Sequence, residues 1–270
     1  MNAELRERSE AIRAYHVIWA PLEFGSLLWR HEQTSEYAAQ PANDPPASLD
    51  KFIEKSIYFL LGGMMKRCVI VGGADIHNYK QINQCLNADD YFIYCDSGLK
   101  HMDSLGKAPS LIVGDFDSYD DPKLPVETIT LPTVKDDTDT VFAVKEALKR
   151  GFEDFLLIGV VGGRLDHTLG NLSILLKLDA LGHSAVILDD YSEMTMVSRN
   201  AAEIDDSYAF FSLINLDGSP KGVTIKNAKY TLDHADIPCD YQYGVSNEVL
   251  PGKTASVEVD AGRILLIKDF

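Results

Sequence analysis

A chain of 270 residues is too long for one small domain and suits two modest ones, so core size does not limit its stability. Hydrophobic residues at 46% and charged residues at 24% are ordinary globular values, which excludes a mostly disordered chain. Lys and Arg number 25 against 41 Asp and Glu, a formal net charge of -16 that argues against a nucleic-acid backbone as partner and suits a cation or a metal-chelated anion.

Residues 1–64 differ in composition from the rest of the chain. They hold both tryptophans and four of the eleven prolines, with a biased stretch from Gln40 to Ser48. They read as an N-terminal extension, either an appended arm or the product of an upstream start site. The apolar run Ile57 to Met65 is about half of the roughly twenty residues that a membrane span needs, and it lacks the position and flanks of a signal peptide. Cys68, Cys85, Cys95 and Cys239 contain no CxxC pair and read as reduced thiols. The expectation is a soluble cytoplasmic protein.

From Met65 to Tyr191, short apolar runs alternate with helical patterns. Cys68–Val71, Tyr91–Cys95, Leu111–Val113, Thr128–Leu131, Phe155–Val160 and Ala185–Leu188 are predicted strands, with amphipathic helices at Val141–Lys149 and Leu169–Leu178. This alternation predicts an α/β unit with a parallel sheet covered by helices on both faces. After Tyr191 the pattern turns β-rich, at Ala209–Leu216, Gly222–Leu232, Ala255–Asp260 and Ile264–Lys268, and predicts a small all-β sandwich over 192–270.

Three turns carry the chemistry. In Leu111-Ile-Val-Gly-Asp-Phe-Asp-Ser118, strand alternation points Asp115 and Asp117 to one side and Phe116 to the other. Both aspartates follow the apolar run, at the carboxyl end of a parallel strand where open sheets bind ligands. Two adjacent carboxylates call for a cation such as Mg²⁺; a lone Asp-x-Asp is more often a plain turn. In Lys135-Asp-Asp-Thr-Asp-Thr140, capping explains one or two acids of a first helical turn, but less well three aspartates within four positions beside a lysine. In Gly162-Gly-Arg-Leu-Asp-His-Thr-Leu-Gly-Asn171, paired glycines and a helix N-terminus suit phosphate, and Arg164 adds a planar charged fork; Asp166 also reads as a helix cap. Gly72-Gly73-Ala-Asp75 and Asp96-Ser-Gly98 are weaker relatives of this turn. With no GxxxxGK[ST] and no Ser–His–Asp arrangement, the residues support metal-assisted phosphoryl or pyrophosphoryl transfer from a nucleotide.

These motifs, together with Gly244-Val-Ser-Asn-Glu248, resemble the bacterial thiamine pyrophosphokinase (thiamin diphosphokinase) family from about Lys66 to Phe270. The resemblance implies an ATP-binding α/β catalytic domain at 65–191 and a thiamine-binding β-sandwich at 192–270. It implies Mg²⁺-dependent transfer of pyrophosphate from ATP to the hydroxyethyl group of thiamine, giving thiamine diphosphate and AMP, in a homodimer with sites between subunits. On the matching positions, Asp115, Asp117 and Asp139 would hold Mg²⁺, and Lys135, Asp136 and Thr138 would line the phosphate path. Asp96, Gly163, Arg164 and Asp166 would contact ATP, and Ser246 and Asn247 thiamine. The chain departs from the family at Lys135, where glutamine is frequent, and at Ser97, where a second glycine is frequent. A haloacid-dehalogenase-type phosphatase is the enzymatic rival, with Asp115 as nucleophile and Asp189-Asp190 as the later acidic pair. A sensing module without turnover is the non-enzymatic one.

Overall fold

The computed structural model describes residues 66–116, 123–132, 136–242 and 244–270; the readings that fall on residues 1–64, Asp117 and Lys135 lie outside them. The first strand, β1 (Cys68–Val71), is apolar and buried at every position, as a strand must be when helices cover both faces of its sheet. Val69 and Val71 face Ile82 of α1 (Tyr79–Gln84) and Leu105 of α2 (Met102–Leu105). Cys68 and Ile70 face the other way, toward Ala143, Val144 and Ala147 of α3 (Asp139–Lys149) and Leu175 and Leu178 of α4 (Leu165–Leu181).

The sheet grows outward from β1 in parallel register through β2 (Tyr91–Cys95), β3 (Leu111–Gly114) and β4 (Thr128–Thr130). The chain then returns to the other side of β1 for β5 (Asp154–Ile158) and β6 (Ser184–Leu188), also parallel. The order of progression therefore reverses between β1 and β5, and open α/β sheets place their ligand crevice beyond the carboxyl ends of strands at such a point. The two turns cross tightly there. Gly72 N–H donates to Ile158 O at 2.9 Å and Ala74 N–H to Gly159 O at 2.8 Å. A Cβ on either Gly72 or Gly159 would lie 2.5 Å from the other's carbonyl oxygen, so neither turn tolerates a side chain.

The sheet is mixed rather than parallel throughout. β7 (Ser192–Val197) pairs antiparallel with β6 and carries the same sheet onward. The remaining strands are β8 (Ala202–Asp205), β9 (Phe210–Ile214), β10 (Val223–Lys226), β11 (Leu232–Ala235), β12 (Gly244–Asn247), β13 (Thr254–Glu258) and β14 (Ile264–Asp269). Ten strands form one sheet in the order β12-β9-β14-β7-β6-β5-β1-β2-β3-β4, and β11-β10-β13-β8 form a second, antiparallel sheet. The alternation of β14 explains the arrangement: Leu265 enters the core under α4, while Ile264 and Leu266 enter a separate core with Ile204, Ile225 and Val257 of the smaller sheet. The β-sandwich thus borrows one of its layers from the main sheet.

The loop after β1 is clamped at both ends. His101 is buried, with Nε2 2.8 Å from Ala74 O and Nδ1 2.7 Å from the Tyr79 hydroxyl. A carbonyl only accepts, so Nε2 carries the hydrogen and Nδ1 accepts the Tyr79 O–H. Further along, Asp190 accepts the N–H groups of His77 at 2.9 Å and Asn78 at 2.8 Å.

Two outcomes are expected. Gly72→Ala should lower stability by about 1–3 kcal/mol, the usual cost of forcing atoms into a packed site, read as a lower denaturant midpoint. Burial pushes the His101 pKa below its ordinary value of 6.5, so the folded state binds fewer protons than the unfolded one. Its contribution is fully present above about pH 6.5 and is lost as pH falls through that value toward the lowered one. Urea midpoints should therefore drop from pH 7.5 to pH 5.5. His101→Gln, which keeps an amide donor for Ala74 O, should flatten that dependence; an unchanged slope would refute the assignment.

Candidate active site

Cys95 of β2 pairs with Val113 of β3, and neighbouring strands lie about 4.8 Å apart. The residues just past these strand ends, Asp96 and Asp115, are therefore brought side by side at the carboxyl edge of the sheet. Asp139, the first residue of α3, completes the group: one carboxylate oxygen from each of the three lies within 4.8 Å of the others. Asp96 is buried, and Asp115 and Asp139 are half-buried. Asp96 has φ 36°, the left-handed region that a short polar side chain tolerates better than most. There the chain leaves β2 for the 3₁₀ segment Asp96–His101. Three clustered oxygen donors of like charge suit a hard divalent cation such as Mg²⁺.

The cluster forms one wall of a cavity of about 590 Å³. The opposite walls come from the turns after β1 and β5, including Gly73, Asp75, Gly159, Gly163 and Arg164. Gly162 and Gly163 have φ 101° and 67°, and a Cβ on either would meet no atom within 4 Å; the backbone conformation, not crowding, calls for glycine there. Gly162 N–H donates to Thr168 Oγ1 at 3.1 Å, which ties the turn to the first turn of α4. The buried Asn171 amide donates to Val160 O at 2.8 Å and holds the turn from below. Arg164 is exposed and pairs with exposed Asp166 at 2.6 Å, an interaction of the kind that water weakens. This hydrogen bond lowers the pKa of the Asp166 carboxyl from its ordinary value.

Of the residues expected from sequence, Asp96, Asp115, Asp139, Thr138, Gly163 and Arg164 meet in this cavity. The Thr138 hydroxyl also caps α3, accepting Val141 N–H at 3.3 Å. Asp136 and Asp166 are not among the lining residues. Neighbouring Asp137 is paired with Lys145 at 2.5 Å. Ser246 and Asn247 lie on β12, the edge strand farthest from β4. The Ser246 side chain is exposed. The Asn247 amide is buried, accepting Tyr230 N–H at 3.0 Å and Glu248 N–H at 2.9 Å and donating to Tyr230 O at 2.7 Å.

The pleat expected to align Asp115 with Asp117 ends at Gly114. Phe116 has φ 56° and packs against the core cluster that also holds Val69 and Ile82, so a left-handed residue, not strand alternation, directs the chain here. The membership of Asp96 in the carboxylate group is invisible in the sequence, because only the β2–β3 register reveals it. Asp75, Lys100, His167 and Asn171 also line the cavity; the last two sit inside the glycine-arginine motif, where helical spacing from Arg164 is the available signal. Asp190, set against the phosphatase reading, is occupied with loop amides, and Asp189 accepts Tyr191 N–H at 2.8 Å and Ser192 N–H at 2.6 Å.

Two family models match this chain: thiamin pyrophosphokinase, catalytic domain, over residues 82–187, and thiamin pyrophosphokinase, vitamin B1 binding domain, over residues 201–264. The curated thiamine pyrophosphokinase of Bacillus subtilis (strain 168) is 25% identical over 194 residues, covering 69% of this chain and 91% of the relative. The crystal structure of a Bacillus subtilis thiamine pyrophosphokinase superposes with a TM-score of 0.68 at 22% identity, covering 76% of this chain and 99% of that one. That of yeast thiamin pyrophosphokinase gives a TM-score of 0.60 at 13% identity, covering 76% and 87%. These two likenesses establish the fold. With both family models in order along more than half of its length, the chain belongs to the thiamin pyrophosphokinase family of enzymes.

Proposed function

We propose that this enzyme transfers the pyrophosphoryl group of ATP to the hydroxyethyl oxygen of thiamine, giving thiamine diphosphate and AMP. The observation that carries this reading is the convergence of three carboxylates with the Gly163–Arg164 turn in one cavity at the point where the sheet order reverses. The match of residues 201–264 to a vitamin B1 binding model supports the acceptor.

In this reading Asp96, Asp115 and Asp139 would hold Mg²⁺, with Asp117 added by resemblance to the family, and the ion when bound neutralises charge on the phosphate oxygens. Arg164 leaves Asp166 for the phosphate chain, a cheap exchange between exposed groups. The glycine turn lets the backbone approach the same chain, and Asn171 keeps that turn in place. The thiamine hydroxyl attacks the β-phosphorus in line; the new O–P bond forms as the bond to the α-phosphate oxygen breaks and AMP departs. The hydroxyl proton passes to a carboxylate of the cluster. Thr138 lines the phosphate path, Lys135 and Asp136 of the same motif serve it by resemblance to the family, and Ser246 and Asn247 meet thiamine in a cytoplasmic homodimer whose sites lie between subunits. Residues 65–191 form the ATP-binding part and 192–270 the thiamine-binding part. Among the described residues no helix is long and apolar enough to cross a membrane.

The test is AMP release with ATP, Mg²⁺ and thiamine. Wild-type chain should release AMP only when thiamine is present. Asp115→Asn should lower turnover at least about a hundredfold, more than the loss of an outer-shell partner costs a metal site, while the thermal unfolding midpoint stays close to wild type. Near-normal turnover in Asp115→Asn would remove the metal assignment, and inorganic phosphate release from simple monoesters would revive the phosphatase reading.

A further inference from the structure

Lys100 lies four residues beyond Asp96 on the 3₁₀ segment, and it lines the same cavity as the acidic cluster. Its Nζ donates to Asp75 Oδ1 at 2.6 Å, on the β1 side of the cavity. Arg164 and Asp166 repeat the arrangement on the β5 side at the same 2.6 Å. Among the described lining residues, Lys100 and Arg164 are the lysine and arginine cations, set against Asp75, Asp96, Asp115 and Asp139. Each cation is occupied by a carboxylate that stands largely in water, Asp75 at 75% and Asp166 at 65% side-chain exposure. Such partners are exchanged at little cost.

The two members of the Lys100–Asp75 pair differ in freedom. Asp75 sits on the clamped loop: Ala74 N–H is held by Gly159 O, Ala74 O by His101, and the His77 and Asn78 amides by Asp190. Lys100 carries its charge on a flexible four-carbon stem. When a more highly charged anion enters the cavity, the lysine is the group that turns.

We propose that Lys100 is a second phosphate-binding cation of this site, facing Arg164 across the cavity, and that Asp75 holds it until the phosphate chain of the nucleotide takes Asp75's place. The inference rests on the ATP reading above. Asp75 then acts as a built-in competitor, and its removal strengthens nucleotide binding through Lys100 alone.

The experiment is isothermal titration of ATP with Mg²⁺, without thiamine, into the full chain and into Lys100→Met, Asp75→Asn and the double variant. Lys100→Met should weaken binding about ten- to a hundredfold, in the range of a charge-assisted contact. Asp75→Asn should tighten it about two- to fivefold, the worth of an exposed pair. The double variant should bind like Lys100→Met. In steady state Lys100→Met should raise KM for ATP and leave KM for thiamine near wild type. Wild-type affinity in Lys100→Met would overturn this inference alone. So would equal tightening by Asp75→Asn in the Lys100→Met background, which would mark a general field effect. A wild-type chain that binds no ATP would overturn both this inference and the ATP reading.

Discussion

Three carboxylates within 4.8 Å of one another repel, and no local element would gather them unaided. The parallel sheet supplies the force. β2 and β3 are fixed side by side by their ladder and by buried apolar residues on both faces, so their carboxyl ends deliver Asp96 and Asp115 to neighbouring positions. The helix that delivers Asp139 is anchored by Ala143, Val144 and Ala147 in the same core. Burial of apolar surface thus holds charge in a place that charge alone would not choose, the arrangement expected where a cation completes the site.

What the sequence makes legible is local. Apart from β4, which is Thr-Ile-Thr, each parallel strand is a short apolar run, so pattern alone locates most of the strands and the turns that matter. The partnership of residues distant in sequence is not legible. Asp96 joins Asp115 only through strand register, and Lys100 meets Asp75 only because the 3₁₀ segment packs beside the loop after β1. Strand alternation misleads at Phe116, since nothing in Asp-Phe-Asp announces a left-handed residue between two acids.

The mixed sheet is hidden for a related reason. β14 reads as a plain apolar run, and a run does not reveal that its alternate residues belong to different cores. Leu265 serves the helical layer, and Ile264 and Leu266 serve the sandwich. Because β6, β7 and β14 are hydrogen-bonded in succession, the segment matched by the vitamin-binding model is welded to the sheet that presents the carboxylates. The register between the two parts is set by backbone ladders instead of a linker, which leaves little room for them to rotate independently.

The acidity of the chain gains a particular meaning at the site. A net charge of -16 opposes the approach of any polyphosphate, and four acids among the described residues line the cavity itself. The two cations among the described lining residues are each paired with a carboxylate, Lys100 with Asp75 and Arg164 with Asp166, which offsets part of their charge. A bare anion meets a negative cavity with its positive groups already taken. On the proposed reading, an anion that arrives with its own divalent cation finds the opposite: the carboxylates become ligands, their repulsion is relieved, and the phosphate chain can draw Lys100 and Arg164 from their partners. The clustering that costs stability on its own then favours the metal-bound nucleotide over the bare one.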